Sequence, residues 1–101
     1  MTMERQTSIE RVDNVMYCRG RWVLSNVAAL EVQAGALGWP ERGAVIFDAS
    51  EITAMDTGGA VLLRQSVRAA GRGGRTASLQ GVPPEFAALL TMVEAQSVNA
   101  S

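Results

Sequence analysis

Thr7–Val12 and Val15–Gly20 interleave Ile, Val, Met and Tyr with polar residues and predict two strands. Between them, Asp13-Asn14 is a pair that tolerates positive φ, so a tight antiparallel hairpin is expected. The pattern then changes period. Val27, Leu30, Ala34 and Leu37 recur at three- and four-residue spacing, which predicts a helix that Ser25 is placed to cap. Gly35 and Gly38 weaken that helix and end it before Trp39-Pro40. Ala44-Val45-Ile46-Phe47 is short and continuously apolar between Gly43 and Asp48, the pattern of a central strand buried on both faces. A connection over Ala49–Met55 leads to Asp56-Thr57-Gly58-Gly59 and a second helix. There Ala60, Leu63, Val67 and Ala70 form an inward stripe, while Arg64, Arg68 and Arg72 share a solvated face. Gly71–Gly74 ends this helix and turns into a last strand, Arg75–Gln80. Pro83-Pro84 opens a third helix whose buried face is Phe86, Leu89, Leu90 and Val93, followed by a polar, frayed tail from Gln96 to Ser101.

The predicted order is β-β-α-β-α-β-α. Right-handed strand-helix-strand crossovers favour parallel pairing and the opening hairpin is antiparallel, so the fold class is α/β with a small mixed sheet carrying helices. At 101 residues the chain is read as one domain, with an ordered core over about residues 7–95.

Composition removes several functions. A net charge of −1 gives no electrostatic case for nucleic acid or anionic lipid. No apolar run approaches the roughly 20 residues that cross a bilayer, so no direct membrane insertion is expected. Met1–Glu10 lacks the apolar stretch of a secretory signal. Cys18 is the sole cysteine, read as a small buried residue, which leaves no thiolate metal cluster, and with no histidine there is neither imidazole catalysis nor a histidine-ligated metal. No nucleophile–base pair stands out, so no catalytic residue, metal or cofactor is assigned. Asp48 with Asp56 does not make a phosphoacceptor site of the receiver type, because the chain has no lysine. Gly71-Arg72-Gly73-Gly74-Arg75 reads as a helix end and turn rather than an RNA-binding box. Trp22 reads as closing the edge of the core.

The stretch from Val45 to Ala60 resembles the signature of the STAS family, named for sulfate transporters and anti-sigma factor antagonists. Asp48 and Ser50 match its first turn, Ile52 its apolar connector, and Asp56, Thr57 and Gly59 its Asp-Ser/Thr-x-Gly motif at the start of a helix. The likeness covers about Ile9 to Ala95. Gly20-Arg21-Trp22 with Leu24, and Gly81-Val82-Pro83-Pro84, resemble a bacterial subgroup, the STAS subunits or domains of ABC transporters that move lipids. That resemblance implies a non-catalytic module docking on the ATPase and permease subunits, in the cytoplasm or at the cytoplasmic face of the inner membrane. The docking surface would be Asp56, Thr57, Gly58 and Gly59, with Asp48 and Ser50 as the supporting turn. The alternative is an anti-sigma factor antagonist whose partner is an anti-sigma factor kinase, with Thr57 as the phosphorylation site. Gly58 stands where such antagonists usually carry the phosphorylated hydroxyl, so that switch could not work in its usual form.

In physical terms, a helix N-terminus presents unpaired N–H groups and partial positive charge. Asp56 is placed to accept from Gly58 or Gly59, Thr57 to sit at the first helical position near the surface, and the two glycines to let a partner approach closely.

Overall fold

The computed structural model describes residues 7–99, with side chains to residue 95. The expectations for residues 1–6 and for the last two residues of the tail lie outside the described residues. Four strands, β1 (Ser8–Val12), β2 (Val15–Trp22), β3 (Gly43–Met55) and β4 (Arg75–Gln80), form one sheet in the order β1-β2-β3-β4. Three helices, α1 (Val27–Leu37), α2 (Thr57–Ala70) and α3 (Pro84–Asn99), complete the expected α/β order.

The hairpin is as predicted. β1 and β2 are antiparallel with Val12 opposite Val15, and Asp13 takes a φ of 54° in the two-residue turn. β2–β3 and β3–β4 are parallel, as the helical crossovers require.

Two strand expectations are corrected. The apolar run Ala44–Phe47 is not buried on both faces. Val45 and Phe47 are fully buried, whereas Ala44 is exposed and Ile46 half-buried, because the helices cover one face of the sheet. Nor is Ala49–Met55 a connection, since β3 continues through it. Its pairing with β2 slips by one residue between Tyr17↔Asp48 and Arg19↔Glu51, and again between Gly20↔Ile52 and Arg21↔Ala54. Each slip is a β-bulge that puts an extra residue on β3 and breaks the alternation by which a strand is recognised. The first has a clear consequence: Glu51 stays on the open face beside Arg19, and Ile52 returns to the core.

The core gathers Ile9, Met16, Cys18, Trp22, Val45, Phe47 and Ile52 from the sheet against Leu30, Leu63, Leu90 and Val93 from the helices. Burying each large side chain contributes about 1.5–3 kcal/mol. α1 buries Leu30 and half-buries Val27, Ala34 and Leu37, and ends at Gly38 with φ 67°. Ser25 does not cap it. The chain first makes a 3-10 turn over Leu24–Asn26, and Asn26 stands at the cap position, its amide donating back to the Arg21 carbonyl at 2.9 Å. α2 buries Ala60, Leu63 and Ala70 as expected, and also Leu62 and Ser66, because α3 packs along a second side. Ser66 keeps its hydroxyl bonded to the Leu62 carbonyl at 2.8 Å. Arg75 turns inward and donates to the Ala70 and Pro40 carbonyls at 2.7 and 3.2 Å, closing the C-terminal end of α2. In α3, Leu90 and Val93 are buried and Phe86 and Leu89 half-buried. The helix runs to Asn99, beyond the point at which fraying was expected.

Candidate functional site

α2 begins where β2 and β3 end side by side, with Trp22 paired to Met55. Asp56 is its N-cap in extended conformation, and Oδ1 accepts from the Gly59 N–H at 3.0 Å. The second oxygen does something the sequence did not announce. Oδ2 accepts from the Leu24 N–H at 2.9 Å, and the Asp56 N–H donates to the Trp22 carbonyl at 3.3 Å. One residue thus ties the start of α2 to the end of β2. The Leu24 and Gly59 N–H groups hold the Asp56 carboxyl below the usual carboxylate range.

The glycines are therefore corrected in role. A Cβ on Gly59 would lie 1.6 Å from the Trp22 carbonyl oxygen, and one on Gly58 would lie 2.9–3.1 Å from Leu24 atoms. The close approach they permit is that of the chain's own Trp22–Leu24 segment, and Gly59 is buried. The surface of the tip comes instead from Thr57, exposed at the first position of α2, and from Leu24, which is 70% exposed. Leu24 is the residue that sequence reasoning missed. Two glycines directly after a capping aspartate were the available signal that some backbone passes close by.

Asp48 and Ser50 lie apart from this tip along the strand axis, at the first bulge of β3 rather than in a turn. The Ser50 N–H donates to Asp48 Oδ1 at 2.9 Å, which closes the bulge locally. Ser50, by its hydroxyl and its N–H, holds the Asp48 carboxyl below its ordinary range. Gly81 packs against both, its Cβ position 3.1 Å from the Ser50 Cβ. Asp48 and Ser50 thus shape the strand that delivers Asp56.

On the open sheet face Arg19 pairs with Glu51 at 2.6 Å and Glu10 at 3.3 Å and lies 5.2 Å from the Tyr17 ring centre. Of the three arginines assigned to a solvated face of α2, Arg68 and Arg72 are exposed, but Arg64 leans on α3 and pairs with Glu94 at 3.1 Å. Cys18 is fully buried, and burial, with the Asp48 carboxylate adding to it, pushes its thiol up to about 12. Trp22 is buried and donates from its indole to the Arg19 carbonyl at 3.2 Å. Among the described residues no three His, Cys, Asp or Glu side chains cluster as metal ligands, and no helix is long and apolar enough to cross a membrane.

No curated protein matches the chain in a sequence search. A family model described as "Mlab, STAS domain" matches residues 6–98. That span takes in every strand and nearly all of the three helices, and it places the chain in the STAS domain family, whose members mediate protein–protein interactions.

Proposed function

We propose that this STAS domain is a non-catalytic accessory subunit or domain of a bacterial ABC lipid transporter, docking on the ATP-hydrolysing subunit through the N-terminal end of α2. The observation that carries this reading is the pairing of exposed Thr57 with exposed Leu24 on a tip that Asp56 holds rigid. A surface already fixed loses little conformational freedom on binding. An exposed leucine beside a hydroxyl offers a partner an apolar anchor and a hydrogen bond. The lipid-transport assignment is supported by Gly20-Arg21-Trp22 with Leu24 and by Gly81-Val82-Pro83-Pro84. In that setting the module sits at the cytoplasmic face of the inner membrane through the ATPase and permease.

Thr57→Arg tests the reading. The site is exposed, so stability should change by no more than about 0.5 kcal/mol, while copurification with the ATPase should be lost. Retained copurification would count directly against this face. Stoichiometric phosphate on Thr57 in protein from its native host would favour the anti-sigma factor antagonist instead.

A further inference from the structure

The two edges of the sheet are treated differently. At the β1 edge α1 packs alongside, and its Gln33 side chain accepts from the Ile9 N–H at 3.1 Å. At the other edge β4 pairs with β3 alone, and among the described residues nothing takes up its outward backbone groups. Exposed edges are normally blunted by lysine, proline, bulges or a charge on the strand. The run Arg75-Thr76-Ala77-Ser78-Leu79-Gln80 has no lysine or proline, and its one charge stands at the first position, so Thr76–Gln80 is uncharged.

Beside this edge is a cleft of about 300 Å³ lined by Arg64, Leu79, Val82, Ala87, Leu90 and Thr91. It exists because α3 packs chiefly on α2 and stands off β4. Its walls mix aliphatic side chains with polar surface, and among the lining residues Arg64 brings the only formal charge. The guanidinium is held by an ion pair to Glu94, whose side chain is half-exposed, and Arg64 Nε is buried without an acceptor. A buried donor left unpaired is costly, so Glu94 does not satisfy the guanidinium fully. The part of the Arg64 side chain that stays exposed, 22%, is what an incoming carboxylate can reach.

We infer that the cleft between α3 and β4 receives an extended acidic segment of another protein, which adds a fifth strand to β4 and sets one carboxylate on Arg64. Alternate side chains of an added strand face the same way. One acidic residue would therefore enter beneath α3 while the backbone completes the ladder, the mode of strand addition with a side-chain pocket. A small carboxylate would answer Arg64 but leave the edge unpaired. Glu94 is then the internal competitor for the same guanidinium. This surface does not involve the α2 tip, and its test is independent of the docking reading.

The test is fluorescence anisotropy of a labelled peptide of alternating valine and threonine with one central glutamate, titrated with the full chain, and a glutamine control peptide. The glutamate peptide should bind about tenfold tighter than the control, the worth of a charge-assisted pair. Arg64→Met should erase that preference, and Glu94→Gln should strengthen binding severalfold. Amides of Arg75–Gln80 should gain hydrogen-exchange protection on binding. Equal binding of both peptides, a preference that survives Arg64→Met, or no binding even to Glu94→Gln would each overturn the inference. So would Arg64-dependent binding of octanoate without binding of the peptide, which would make the cleft a small-molecule site.

Discussion

At the scale of single residues, the tip of α2 is decided by the two oxygens of Asp56. One caps the helix at Gly59 and the other holds Leu24. Asp56→Asn can keep the first bond but offers an amide where Leu24 needs an acceptor, and Asp56→Ala loses both. Thermal melts should therefore rank wild type above Asn above Ala, with the Ala variant lower by about 5 °C. Because folding lowers the Asp56 pKa, its stabilisation is present above the unfolded value and is lost as pH falls through the depressed one. The wild-type melting temperature should thus fall faster than that of Asp56→Ala below about pH 4; parallel acid limbs would contradict the assignment. Gly59→Ala drives a methyl into the Trp22 carbonyl, and urea unfolding should show a loss of about 3 kcal/mol. Leu24→Asp, at an exposed site, should leave the melt nearly unchanged and, on the docking proposed above, weaken binding to the ATP-hydrolysing subunit by at least about tenfold. The cap was legible from Asp-Thr-Gly-Gly; the Leu24 bond spans 32 positions, and local pattern carries no trace of it.

At the scale of elements, β3 is the least regular and the most consequential. Its first half is a central strand between β2 and β4, and its second half pairs with β2 alone as it delivers Asp56. The bulge at Asp48–Ser50 keeps Ile52 inside. Inserting one residue between Ser50 and Glu51 adds one more than the bulge absorbs, which turns Ile52 to the open face and Glu51 toward the core. Circular dichroism should then report loss of cooperative unfolding, whereas Ser50→Ala, which keeps the count, should remain folded. The helices were readable because their apolar stripes run at one period throughout. The second half of β3 was not, because bulges interrupt the alternation that marks a strand.

At the scale of the molecule, a sheet covered on one face leaves Cys18 in the core with its thiol pushed up to about 12. Thiol labelling at pH 8 should accordingly proceed only through opening of the sheet, with the denaturant dependence of global unfolding. Fast, denaturant-independent labelling would show a loosely held β2. The order of elements, the hairpin, the helix stripes and the capping motif were determined by the sequence itself, because each rests on neighbours within a few turns or one strand. The tertiary structure alone decided which sheet face is covered, whose backbone fills the space at Gly58 and Gly59, and that Arg64 faces a cleft. Those outcomes depend on segments far apart in the chain meeting in space, and no local periodicity encodes such a meeting.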